Sequence, residues 1–210
     1  MHIGNDGRIT MSSSPDDVVF LRELIAGIAQ KSGGDPTRVF IAGISNGGMM
    51  ALRMACDAAD VVTAIGAVAA NMPAGLIHHC RPSRPVPVVR FNGTGDRIMP
   101  WSGGSIARSK IFDAPGGEVV SAMDTFDFWS QIDGCGHKTV DTVPATHVER
   151  HTSWDCQAGS QVILYAIARG GHGWPGSTPR TGFERAIAGY VTTEISASVI
   201  LIQFFHQYGL

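Results

Sequence analysis

Apolar positions along the chain alternate between two spacings. In "SSSPDDVVFLRELIAGIAQKSGGDP", Val18, Leu21, Ile25 and Ile28 recur at helical spacing and predict a helix. Ser14 is placed to cap it, Pro15 suits the first helical position, Asp17 stands three after the cap, and "GGDP" stops it. "RVFIAG" then has no polar alternation, the mark of a parallel strand covered on both faces. The two patterns go on exchanging. "NGGMMALRMACDAAD" is helical, "VVTAIGAVAA" and "PVPVVRFNGTGD" are strands, and "SAMDTFDFWSQIDG" is a helix with Met123, Phe126 and Ser130 framing one face. "QVILYAIARGGHGWPG" is a fourth strand running into a glycine-rich loop, and "TTEISASVILIQFFHQYG" closes as a helix. Strands alternating with helices predict an α/β domain with a mostly parallel sheet, whose ligands sit beyond the carboxyl ends of strands. Residues 102–120 read as a loop-rich excursion.

Composition narrows the classes. The chain has 210 residues, suited to a single domain over 1–210, and 44% of them are hydrophobic against 16% charged, enough for a buried core. The formal net charge is −2 and no Lys/Arg cluster stands out, so nucleic acid is not an expected partner. Residues 61–80 carry no charge, but Asn71, Pro73, His78 and His79 interrupt them, which reads as a strand and a loop and not as a membrane span. The first residues, "MHIGNDGRITMSSSP", show neither a basic region nor an apolar one, so no signal peptide is visible. Four cysteines contain no C-x-x-C pair, which argues against a zinc site. Their even number fits two disulfides in an oxidising compartment or four buried thiols in a reducing one.

The chemistry enters at the first strand. Gly43-Ile44-Ser45-Asn46-Gly47 fits G-x-S-x-G between a predicted strand and a predicted helix, the context of a nucleophile elbow. Such a turn holds the serine backbone in strain, and the expectation is that only residues without a Cβ fit at the flanking positions, with Gly48 extending that surface. It lifts the serine hydroxyl above the sheet and points the Asn46 amide at a developing oxyanion.

A serine hydroxyl is a weak nucleophile until a base takes its proton, so a histidine and an acid are required later in the chain. This fold supplies them in the order Ser, Asp, His, each beyond a strand. Asp96 ends the third predicted strand and His172 follows the fourth. Asp113, Asp124 and Asp127 are alternative acids, and Asp96 is preferred because it follows a strand directly. The other histidines are worse placed: His78, His79 and His137 follow no predicted strand, His147 and His151 lie in a polar segment, and His2 and His206 sit near the ends. The constellation calls for no metal and no cofactor.

"GISNGGMMALRMAC", "FNGTGDRIMPWSGG", "FWSQIDGC" and "GGHGWPG" resemble the polyhydroxybutyrate depolymerase and feruloyl esterase (esterase PHB-type) family of secreted α/β-hydrolases. The resemblance runs over residues 16–208. It implies an α/β-hydrolase fold with Ser45 as nucleophile, Asp96 as acid, His172 as base and Asn46 as oxyanion donor. It also implies Trp174 on the acyl or leaving-group side of the pocket, with simple packing of the loop an equal alternative. It further implies export to the periplasm or beyond, and a disulfide between Cys135 and Cys156, worth roughly 3 kcal/mol in the chain-entropy estimate. Cys56 and Cys80 are the natural remaining pair, although the sequence alone allows three connectivities.

The resembling fold has further strands before the elbow, and a loop after the third of them donates a second oxyanion N–H. The expectation is therefore a partial, N-terminally truncated hydrolase domain whose first strand is an exposed apolar edge open to self-association. The expected activity is a serine carboxylester hydrolase acting through an acyl-enzyme on short hydroxyalkanoate, feruloyl or acetyl esters, free or borne on a polymer. A catalytically impaired remnant of such an esterase, or a serine peptidase of the same fold, is the alternative.

Overall fold

The first helix, α1 (Asp17–Ser32), is capped by Asp16, whose carboxylate accepts the Val18 amide at 3.0 Å. The cap therefore lies two residues beyond the expected Ser14, which with Pro15 falls outside the described residues. The computed structural model describes residues 16–106, 117–143, 145–178 and 181–210. Val18 is buried and Leu21 and Ile25 pack on the core, but Ile28 is exposed, together with Phe20 and Leu24 on a second apolar face.

The chain continues through β1 (Phe40–Ile44), α2 (Asn46–Asp57), β2 (Ala64–Val68), the short α3 (Ala74–Ile77) and β3 (Val88–Gly93). The excursion expected over 102–120 contains the two-residue strands β4 (Gly104–Ser105) and β5 (Glu118–Val119), which pair with each other. Then follow α4 (Ala122–Ile132), β6 (His137–Thr142), β7 (Val148–Trp154), β8 (Val162–Ile167), α5 (Gly182–Ala188) and α6 (Ala197–His206).

The main sheet has six strands in the order β1-β2-β3-β8-β7-β6. β1, β2, β3 and β8 are parallel, while β7 and β6 add as an antiparallel hairpin. Every residue of β2, β3 and β8 is buried, which is why β2 and β8 read as unbroken apolar runs and β3 as one interrupted only by Arg90 and Asn92. On one face Val88 and Leu164 pack with Met49, Leu52 and Trp129. On the other, Val89, Phe91 and Tyr165 pack with Leu201, Phe204 and Phe205, and the Phe91 and Tyr165 rings stack at 5.0 Å. On α4 the buried face is Ala122, Thr125, Phe126, Trp129 and Ser130, one step round from the expected stripe, with Met123 only partly buried. This sheet with helices on both faces is an α/β-hydrolase type of architecture.

No strand is expected from the sequence over this hairpin, whose His147 and His151 read as part of a polar segment: His151 is within β7 and His147 immediately precedes it. Edge position explains the miss. The described side chains of β6 are exposed, so its sequence "HKTVDT" carries no apolar signal. At the opposite edge, β1 pairs among the described residues with β2 alone and keeps Phe40, Ile41 and Ile44 half-exposed, as expected of an apolar edge. Disulfides join Cys56 to Cys80 and Cys135 to Cys156. No helix among the described residues is long and apolar enough to cross a membrane.

Candidate active site

Ser45 sits between β1 and α2 with φ 56° and ψ −120°, a left-handed backbone that costs a non-glycine residue about 1–3 kcal/mol. It is held there from both sides: its amide donates to the Val68 carbonyl at 2.9 Å, and its carbonyl accepts the Met49 amide at 2.9 Å. Although it occupies the N-cap position of α2, its hydroxyl makes no capping bond, so the oxygen is not committed to the helix. Asn46 is the first helical residue and is exposed.

The glycines around it have unequal roles. A Cβ on Gly43 would lie 2.4 Å from the Gly47 carbonyl carbon, and one on Gly48 would lie 2.6 Å from the Ala70 Cβ. A Cβ on Gly47 would meet nothing within 4 Å. The expectation that both flanking positions exclude a side chain is therefore corrected. Strand and helix approach so closely that Gly43 touches the backbone of residue 47, and α2 touches the end of β2 at Gly48, while Gly47 faces open space.

Asp96 and His172 meet. Asp96 Oδ2 lies 2.8 Å from His172 Nδ1, and the Asp96 side chain is 1% exposed against 12% for the histidine. The other carboxylate oxygen, Oδ1, accepts the amides of Ile98 and Met99 at 2.8 and 2.9 Å. One carboxylate oxygen is thus locked to its own loop and the other is left for the imidazole. The two loops are stitched together at their bases. A Cβ on Gly93 would stand 2.2 Å from the Gly170 carbonyl oxygen, the Gly95 amide donates to that same oxygen, and the Arg169 amide donates to Thr94 Oγ1. Beyond them, the amides of Gly171 and His172 donate to the carbonyls of Tyr190 and Ala188 and fix the histidine loop to the end of α5 and the segment after it.

Ser45, Asp96 and His172 follow β1, β3 and β8, which run parallel in one sheet, so all three emerge at the same end of it. The alternative acids are engaged elsewhere: Asp124 accepts from the Ser121 hydroxyl at 2.7 Å, Asp127 binds Lys138 on the surface, and Asp113 lies outside the described residues. Other histidines also have other partners, His147 with Glu194, His137 with Asp155 and the ring of Trp154, and His206 with the Leu210 carbonyl. Trp174 is half-buried and donates its indole N–H to Ser198 Oγ on α6 at 3.0 Å, so part of its role is to pack the loop on that helix.

Sequence reasoning missed a buried polar cluster beneath this end of the sheet, formed by Arg90, Asn92 and Asn71. Its one legible signal was an arginine in the middle of "PVPVVRFNG", an otherwise apolar strand.

No family model matches the chain. In sequence it is 31% identical over 159 residues to feruloyl esterase B of Piromyces equi, covering 75% of this chain and 29% of that protein. It is 28% identical over 200 residues to "Putative esterase NocK" of Nocardia uniformis subsp. tsuyamanensis, covering 90% and 57%. The chain therefore spans under a third of the first relative and somewhat over half of the second. Among solved structures it is similar to an acetyl xylan esterase from Aspergillus awamori, with a TM-score of 0.57 at 12% identity, over 90% of this chain and 67% of that one. The chain is thus similar in sequence to these two esterases and shares its fold with the acetyl xylan esterase.

Proposed function

We propose that the protein is a serine carboxylester hydrolase with Ser45, Asp96 and His172 as its triad. The observation that carries the proposal is the Asp96 carboxylate, anchored through Oδ1 to two amides and bonded through Oδ2 to His172, at the sheet end where Ser45 is held in a strained turn. Ser45 Oγ attacks the ester carbonyl carbon while His172 Nε2 takes its proton; Asp96 keeps the proton on Nδ1 and stabilises the imidazolium. The carbonyl oxygen, now negative, is met by the Asn46 N–H at the start of α2. His172 returns the proton to the departing alcohol, then activates the water that releases the acid from Ser45.

The substrate class rests on the names of a similar feruloyl esterase and of a structurally similar acetyl xylan esterase, and on the sequence motifs that resemble the polyhydroxybutyrate depolymerase family. It comprises feruloyl, acetyl or short hydroxyalkanoate esters, free or on a polymer, with the exposed part of Trp174 against the substrate. The two disulfides support a place of action in an oxidising compartment outside the cytoplasm. The test is hydrolysis of p-nitrophenyl acetate and butyrate by the purified protein, with Ser45→Ala as control. Turnover abolished by that substitution supports the proposal, and background rates in well-folded wild type refute it.

A further inference from the structure

Arg90 is completely buried in β3, yet its partners among the described residues are all neutral oxygens. Its guanidinium donates to the Ala122 carbonyl at 2.8 Å, the Ala70 carbonyl at 2.8 Å and Asn71 Oδ1 at 2.7 Å. Asn92, two residues along the same strand face, donates to the same Asn71 oxygen at 3.0 Å and to the Ala70 carbonyl at 3.3 Å. Asn71 has no exposure, and its amide nitrogen donates to the Pro100 carbonyl at 2.9 Å. A buried cation held only by neutral dipoles is costly to maintain, and burial lowers its pKa to about 9, still above neutrality. Replacing such a group by apolar packing is often neutral or stabilising, so stability alone gives a poor account of it.

The partners show what the cluster connects. Residues 68–71 abut the serine turn: the Val68 carbonyl accepts the Ser45 amide, and Ala70 occupies the space that forces glycine at position 48. Pro100 closes the loop in which Asp96 binds the amides of Ile98 and Met99. Ala122 begins α4, and its amide returns to the Trp101 carbonyl. Asn71 thus hydrogen-bonds the segment supporting Ser45 to the loop carrying Asp96, and the fork of Arg90 holds Asn71 in place.

We propose that Arg90, Asn71 and Asn92 form a positioning cluster that sets the separation between the serine turn and the acid loop. The inference rests on the function proposed above for its effect on turnover. Misplacing reacting groups by about 1 Å can cost 10²-fold in rate, so a loosened connection is read in kcat and not in substrate affinity.

Two variants test it. Asn71→Ala removes every bond of the cluster to residue 71. The near-isosteric Asn71→Asp keeps the acceptor for Arg90 and Asn92, gives Arg90 a carboxylate, and removes only the donor to Pro100. In hydrogen exchange on the intact chain, both variants are expected to speed exchange of residues 94–103, and Asn71→Ala also that of residues 43–50, with β8 and α6 unchanged. With p-nitrophenyl acetate, kcat is expected to fall at least tenfold in both, with KM within twofold of wild type. Uniformly faster exchange, unchanged exchange, or a kcat within twofold of wild type would overturn the proposal. A wild type without esterase activity would refute the proposed function, while the exchange pattern would still decide the cluster.

Discussion

His172 Nδ1 stands 2.8 Å from Asp96 Oδ2, a contact between residues 76 positions apart in the chain. A neutral amide at position 96 would accept less strongly and favour the wrong imidazole tautomer. Asp96→Asn is expected to lower kcat by roughly 10³–10⁴. Asp124→Asn and Asp127→Asn, on the surface of α4, should leave kcat within twofold. Steady-state kinetics on the three variants checks the assignment of the acid, and comparable losses in all three would contradict it.

The glycines of the serine turn make opposite predictions. Gly43→Ala and Gly48→Ala drive a Cβ into backbone or into Ala70, and each is expected to cost about 1–3 kcal/mol or more. Gly47→Ala adds a Cβ in open space within the first turn of α2 and should be neutral or stabilise by up to about 1 kcal/mol. Urea unfolding of the three variants gives the ranking directly.

Asp133 supplies a pH dependence remote from the proposed triad. Burial raises its pKa from 3.8 to about 6, against the opposing hydrogen bonds from the Ser160 hydroxyl and the Val86 amide. Because the folded state holds this proton more tightly than the unfolded chain, the stabilisation is complete below about pH 4 and is lost as pH rises through about 6. The loss is on the order of 2–3 kcal/mol. Asp133→Asn removes the titration, so its stability relative to wild type should rise by that amount between pH 4 and pH 7. Parallel curves for the two proteins would rule the effect out.

The disulfides close loops of similar size, with sequence separations of 24 and 21, and each is expected to contribute about 3 kcal/mol. Mapping of non-reduced peptides should link Cys56 to Cys80 and Cys135 to Cys156. Cys135→Ser with Cys156→Ser should lower the denaturation midpoint without changing kcat, since this pair lies at the opposite end of β7 from the proposed site.

The parallel strands were legible because both faces of the sheet are covered, which leaves "VVTAIGAVAA" and "QVILYAI" without alternation. Ser45, Asp96 and His172 stood out as candidates because each lies in a glycine-containing turn at a strand end. What escaped was the structure decided by distant partners. The β6–β7 hairpin is polar because it forms an edge. Asp16 caps α1 because its own carboxylate reaches the Val18 amide. The task of Arg90 is set by the carbonyls of Ala70 and Ala122, which no local pattern around position 90 foretells.

The most direct measurement of the central claim is covalent capture. A fluorophosphonate ester reacts with an activated serine and forms a stable phosphonate in place of the acyl-enzyme. Incubated with the folded protein, it should add one label per chain, located on Ser45 by peptide mapping, and His172→Ala should slow labelling by at least a hundredfold. A folded chain that takes up no label, or takes it up at another residue, would contradict the account.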